Sequence, residues 1–327
     1  MEVALRTSVN LMPEAPVADI VGLAVLAEHL GYDRCWVYDE GLATRDVYVT
    51  LTAIALATNR MEVGPGITNA YTRHPATTAA TLASLDELSH GRAFLGVGAG
   101  GSLTLGPLGV DRSKPLAAVR DLITMCRGLF SGGPVTSTSS IGSLTNASLG
   151  FSRTDIPIWL AGRGPRMLAL GGEVADGVML DFLHHDVIGH AIQLVRGGAA
   201  RSGNAPRICY STLVVTDDDT LDMVRPHMTY RLVDSQPEVR QRIGLGESDR
   251  LAIRDAMADG LEAAGRLVKD DWVLPFVIAG SAAECAEQIR ELHDRHDIEE
   301  FMLPVLDIHT AADYMTRIGR VLELARA

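Results

Sequence analysis

Apolar and polar positions along this chain follow two rhythms in turn. Short runs rich in β-branched and apolar residues give way to longer stretches whose apolar side chains recur every three or four positions, the periods of strand and amphipathic helix. Residues 3–9, 34–38, 93–97, 157–161, 177–182, 207–216 and 301–306 read as strands, joined by a buried strand that opens at Met61. Residues 17–30, 47–58, 75–89, 114–130, 166–174, 187–196, 282–293 and 311–325 read as helices. Asp46 is placed to cap the second helix, and Gly31 and Gly91 fall where helices stop. Residues 131–152, rich in Gly, Ser and Thr, read as a surface excursion or hairpin. Residues 217–270 are charged and read as a helical insertion in several pieces, with 236–246 the least regular part.

Alternation of strand and helix implies parallel strands, because a parallel crossover needs an intervening helix. Eight such units without an obvious break predict an α/β fold closed into a (β/α)8 barrel, residues 1–327 forming one domain; an open doubly wound sheet is the other arrangement. Functional side chains then belong to the loops that follow the strands.

The rhythm breaks at residues 61–75, MEVGPGITNAYTRHP. Gly64, Pro65 and Gly66 cannot continue a regular ladder, since proline donates no backbone hydrogen bond and glycine weakens a strand. A break there lets the backbone bulge or approach a ligand closely. Tyr71, Arg73 and His74 follow, and Pro75 suits the first turn of a helix. An ordinary tight loop gives the same local pattern.

Composition narrows the partners. With 47% hydrophobic residues the chain buries a large core, and 41 acidic against 29 basic residues leave a formal charge of −12. Non-specific nucleic-acid binding is excluded, because it needs a basic footprint. Cys35, Cys126, Cys209 and Cys285 are widely spaced and read as buried free thiols, which fits a reducing cytoplasm. The start of the chain has no apolar signal-peptide core, and no run approaches the roughly 20 apolar residues of a membrane span. The expected partner is a small-molecule substrate, with no nucleic acid and no membrane.

Candidate chemistry gathers at the predicted strand ends. Asp39 and Glu40 follow the second strand; adjacent carboxylates diverge there, so at most one faces the barrel in regular geometry. A partly desolvated Glu40 suits acid/base work, whereas a solvated or capping pair is the plain reading. Residues 96–101, GVGAGG, resemble a dinucleotide fingerprint but lack a helix that begins at once and a following acidic residue. A glycine-lined floor for a flat ring is the more economical use of Gly98 and Gly100. Gly162, Arg163, Gly164 and Pro165 run from strand through glycine loop into a helix, which presents free amides and a positive helix end to an anion. His184-His185-Asp186 lacks further ligands nearby, so no metal is expected.

Several tracts together carry a family resemblance: RDVY at 45–48, LTAIALATNR at 51–60, GPGITNAYTRHP at 64–75, LDELSHGRAFLGVGAG at 85–100 and AGRGPRMLALGGEVADGVML at 161–180. They resemble the luciferase-like superfamily of barrel oxidoreductases, and within it the deazaflavin-dependent methylene-tetrahydromethanopterin reductases. The resemblance implies a (β/α)8 barrel with an insertion, binding coenzyme F420, or alternatively FMN, at its mouth. It implies a non-prolyl cis peptide at Gly66-Ile67 behind the cofactor ring, with Asp39, Thr68, Asn69 and Gly98 along ring and ribityl chain, and the phosphate at Gly162–Gly164. The family pattern is departed from twice. Glu40 stands where many deazaflavin enzymes have histidine, and Arg6 is taken as the counterpart of the glutamate on strand one of the pterin reductases. The expected activity is hydride transfer between deazaflavin C5 and a C=C, C=N or C=O group, with Glu40 as acid/base residue and Asp39 or Arg6 orienting the substrate. An FMN-dependent monooxygenase and a non-catalytic cofactor-binding homologue are the alternatives. A homodimer through the helices beside strands two and three is also implied.

Overall fold

The computed structural model describes residues 4–327. Its parallel sheet is built in chain order from β1 (Arg6–Leu11), β2 (Arg34–Val37), a third strand split into β3 (Glu62–Pro65) and β4 (Thr68–Asn69), and β5 (Leu95–Gly98). An antiparallel hairpin, β6 (Val135–Ser139) and β7 (Gly142–Ala147), stands outside it. The barrel resumes with β8 (Ile158–Ala161), β9 (Gly177–Asp181) and β10 (Arg207–Ser211), and ends on β13 (Glu300–Val305), after a small parallel pair, β11 (Val214–Val215) with β12 (Ile278–Ala279). Pairing runs β3-β2-β1-β13-β10-β9-β8-β5-β4. The two ends of that series are the two halves of one broken strand, so the nine segments occupy eight positions and the circle closes. A bridge from Val63 to Ala93 ties the seam lower down.

The barrel is clothed by α1 (Val17–His29), α2 (Val47–Ala57), α3 (Pro75–Leu88), the short α4 (Ser102–Leu105), α5 (Pro115–Phe130), α6 (Pro165–Val174) and α7 (His185–Ser202). The insertion supplies α8 (Asp218–Val233), α9 (Pro237–Arg242), α10 (Glu247–Ala256), α11 (Leu261–Gly265) and α12 (Asp270–Val273), and α13 (Ala282–His296) and α14 (Ala311–Arg326) complete the ring. Asp46 caps α2 as expected, accepting from the amides of Tyr48 at 2.9 Å and Val49 at 3.0 Å. Ser281 and Glu284 close a capping box on α13.

Several boundaries differ from the sequence expectation; α7, for one, runs on to Ser202 rather than stopping at residue 196. The first strand is seen from Arg6, while Val3 lies outside the described residues. The seventh does not run on to residue 216: after Ser211 the chain leaves the barrel, held by Thr212 Oγ1 on the carbonyl of Phe276, and β11 pairs with the chain returning from the insertion. Alternation cannot reveal a strand that changes partners. Residues 236–246 include a regular turn of helix, α9, started by Pro237 at its first position.

Inward-facing side chains form one cluster, Trp36, Phe94, Trp159, Met179, Cys209 and Met302, separate from the larger core between strands and helices. Beneath it lies a plug of charge. Arg6, Arg34, Glu62 and Glu300 are each the first residue of their strands, which sets them at the N-terminal end of the barrel. Arg34, fully buried, pairs with Glu300 and, at 2.5 Å, with Glu62, while Arg6 reaches Glu62 at 2.8 Å. The Arg34 guanidinium also lies 4.6 Å from the Trp159 ring centre and 4.8 Å from that of Phe94. All four cysteines are buried and unpaired.

Candidate active site

The broken third strand builds the back of the mouth. Between its halves the Gly66-Ile67 peptide is cis. Gly66 is required there, because a Cβ would come within 2.5 Å of the Trp36 Cβ. The Asn10 amide nitrogen donates to the Gly66 carbonyl at 2.7 Å, while its own Oδ1, sealed from solvent, has no partner. Asn69 Oδ1 accepts from the amides of Tyr71 and Thr72 at 2.9 and 3.0 Å, which folds the chain back toward α3.

The glycine tract after β5 does different work from the floor expected for it. A Cβ on Gly98 would lie 2.0 Å from Ile67 Cδ1, and one on Gly100 would lie 2.8 Å from Leu105 Cδ1. The room these glycines leave is filled by protein side chains: Gly98 admits Ile67 from the third-strand break, and Gly100 lets α4 close down. A four-residue helix does follow the tract, contrary to the expectation, but it is too short to have shown as periodicity.

Asp39 and Glu40 lie past the end of β2, where the backbone has left the strand, and take different partners. Asp39 accepts a 2.6 Å hydrogen bond from Thr68 Oγ1 at the broken strand, and Glu40 accepts one from Thr104 Oγ1 on α4. Neither has a cationic partner in hydrogen-bond contact among the described residues. Burial pushes both carboxyl groups above their ordinary range; the hydroxyl partners oppose it, and the Asp39 charge raises Glu40 further. Tyr38, just before them, is likewise raised well above a free phenol, by burial and then by the charges of Asp181 and Glu40. Tyr38 and Glu40 follow β2 and Asp181 ends β9, on the far side of the barrel.

Across the barrel, α6 starts after Gly164 with Pro165 in its first turn and no side-chain cap, while the Met167 and Leu168 amides donate to the Gly164 carbonyl at 2.9 and 3.0 Å. A Cβ on Gly164 would meet nothing, so the space before the helix end is open. Gly162 is needed for packing, since a Cβ there would approach Met167 Cγ to 2.5 Å. Arg163 is not free to serve an anion alone: it pairs with Asp181 at 2.8 Å, and Asp181 also accepts from Ser211 at 3.2 Å. Arg166, by contrast, is exposed.

Arg6 is a correction. It opens β1 and is bound to Glu62 at the opposite end of the barrel from these loops, so it cannot orient a substrate at the mouth. Arg6, Ser8 and Asn10 share the inward face of β1, and Asn10 is the member that reaches the broken strand. His184 caps α7, its Nδ1 taking the Asp186 amide at 3.2 Å, and among the described residues no three His, Cys, Asp or Glu side chains assemble as metal ligands.

These features define a (β/α)8 barrel whose candidate site lies at the C-terminal ends of the strands. The family model for luciferase-like monooxygenases matches residues 3–297, and the chain belongs to that family. Similar proteins include 5,10-methylenetetrahydromethanopterin reductases from Methanolobus tindarius, 33% identical over 88% of this chain and 90% of the relative, and from Archaeoglobus fulgidus, 30% identical over the same shares. The solved structure of the coenzyme F420-dependent tetrahydromethanopterin reductase of Methanopyrus kandleri superposes with a TM-score of 0.87 at 25% identity, covering 98% of each chain.

Proposed function

We propose that this protein is an F420-dependent oxidoreductase that moves a hydride between C5 of the deazaflavin and a C=C, C=N or C=O group of a small organic substrate. The observation that carries the reading is the end-to-end match, over 98% of both chains, to a structure described as F420-dependent. The mouth suits such a group. The open space before α6 and the uncapped start of that helix fit a phosphate, with Arg163 and Arg166 beside it. The Gly66–Asn69 segment forms a wall behind the centre, with the unpartnered Asn10 Oδ1 next to it. When bound, F420 supplies a two-electron hydride donor or acceptor that reacts poorly with oxygen because a carbon replaces flavin N5.

The protein's own part is protonation and placement. Glu40, raised by burial and bonded to Thr104, is placed to hold or accept a proton as an acid/base residue. Asp39 is fixed by Thr68 and so places its carboxylate against the broken strand, where it orients substrate. Arg6 has no role in this account.

Anaerobic oxidation of reduced F420 in the presence of a panel of carbonyl and imine compounds tests the reading. Substrate-dependent oxidation without oxygen consumption is expected. Oxygen-dependent turnover with reduced FMN in its place would make the protein a flavin monooxygenase, the activity in its family's description. Tight cofactor binding with no turnover on any compound would mark a non-catalytic homologue.

A cytoplasmic homodimer belongs to the same proposal. No helix among the described residues is long and apolar enough to cross a membrane. Val49 and Leu56 on α2 are 61% and 68% exposed, and Leu88 at the end of α3 is also exposed, an apolar face that a second copy would cover. Sedimentation should give a dimer that Leu56→Glu dissociates; a monomeric wild type would refute it.

A further inference from the structure

Arg231, on the first helix of the insertion, has no salt-bridge partner among the described residues. Its Nε is sealed from solvent without a hydrogen-bond partner. The group lies 5.5 Å from the centre of the Phe276 ring. Its position is anchored: Ser235 Oγ donates to the Arg231 carbonyl at 2.6 Å, and Gly265 lets α11 press on Pro226 one and a half turns earlier, where a Cβ would come within 2.9 Å.

The charged groups that face it are Arg163, Asp181, Tyr210 and Asp234. Three of these stand near the C-terminal ends of β8, β9 and β10, so α8 carries Arg231 to that end of the barrel, beside Phe276. Asp181 faces Arg231 but makes its side-chain hydrogen bonds to Arg163 and Ser211. Burial and then the Arg163 cation pull the guanidinium below its ordinary pKa. An unsatisfied, partly buried guanidinium is unfavourable unless an anion completes it. The buried Arg34 shows the same residue type fully answered, by Glu300 and Glu62.

We propose that Arg231 receives an oxyanion carried by the substrate, a carboxylate or a phosphate. The assignment rests on the F420 oxidoreductase reading and names its substrate class: a small carbonyl, imine or enoyl compound with an acidic group set away from the reacting carbon. The planar fork of arginine matches either oxyanion in a two-bond contact.

The test uses the F420-loaded protein, wild type and Arg231→Gln, titrated calorimetrically with acetate and with inorganic phosphate at fixed ionic strength. F420 affinity of each protein is read separately by fluorescence. Wild type should bind one of the two anions saturably, and the anion preferred decides between carboxylate and phosphate. Arg231→Gln should weaken that binding about tenfold or more, as loss of a charged hydrogen bond does, with F420 affinity changed less than about twofold. Arg231→Met, of similar volume, carries the test should the glutamine variant fail to fold. Binding of neither anion by wild type, or undiminished binding by the variant, overturns the proposal. A parallel loss of F420 affinity does so too, because the cation then belongs to the cofactor. Should wild type take up no F420, that reading fails on its own, and the same titration of the unloaded protein still decides for or against Arg231.

Discussion

The two ends of the barrel hold buried charge in opposite conditions. At the N-terminal end every member of the plug has a partner: Arg34 between Glu62 and Glu300, and Arg6 on Glu62. At the mouth, Asp39 and Glu40 have only hydroxyl donors, Asn10 Oδ1 has none, and Arg231 lacks a counter-ion among the described residues. The titrations follow the same division. Burial pushes Glu62 up, but Arg34 and Arg6 outweigh it and hold the carboxyl below its usual value. Burial goes unopposed by any adjacent cation at Glu40, which is raised. The division holds for the four plug residues and not for every charge at that end: Arg207, which opens β10, has no carboxylate partner among the described residues and lies 4.9 Å from the Trp159 ring centre.

The sharpest way to break this contrast is at the plug. Arg34→Met leaves Glu300 buried without its cation and should lower unfolding free energy by about 3–5 kcal/mol in urea denaturation. A loss under about 1 kcal/mol would mean that the base is not held by its ion pairs. The matching change at the mouth, Glu40→Gln, should leave stability equal or higher and slow turnover about 10²–10⁴-fold, with F420 affinity kept. Unchanged turnover would remove Glu40 from the chemistry.

A smaller effect separates the two ends by pH. Glu62, depressed in the folded state, contributes stability that is present above its unfolded pKa of about 4.3 and is lost as pH falls through the lowered value. Glu40, raised, contributes stability present below about 4.3 that is lost as pH rises through its folded value. Urea midpoints from pH 3 to pH 8 should therefore fall less steeply toward acid in Glu62→Gln than in wild type. In Glu40→Gln they should exceed wild type most at neutral pH. The same slope in all three proteins would contradict both assignments.

Much of this was legible in the sequence, for local reasons. Two hydrophobic periods located the barrel, Asp46 announced its helix, and Gly64-Pro65-Gly66 marked the break that both closes the barrel and shapes its mouth. What failed was height and distance. Arg6 and Asn10 have the same parity on β1, so alternation places both inward and is silent on which end of the barrel each occupies. Only the pairing of Arg6 with Glu300 and of Leu11 with Val305 fixes that. Gly98 looked like a cofactor floor because the sequence does not show that Ile67, 31 positions earlier, fills the space. Arg231 gave no signal at all. It lies on a helix with Pro226 inside it and is placed by packing of the whole insertion, which no motif records.

The central claim is that the unanswered groups at the mouth are shaped for a deazaflavin. Parallel fluorescence titrations of the purified protein with F420 and with FMN test it most directly. Micromolar or tighter binding of F420, with FMN at least tenfold weaker, is the expected result. Preference for FMN, or binding of neither, would contradict it.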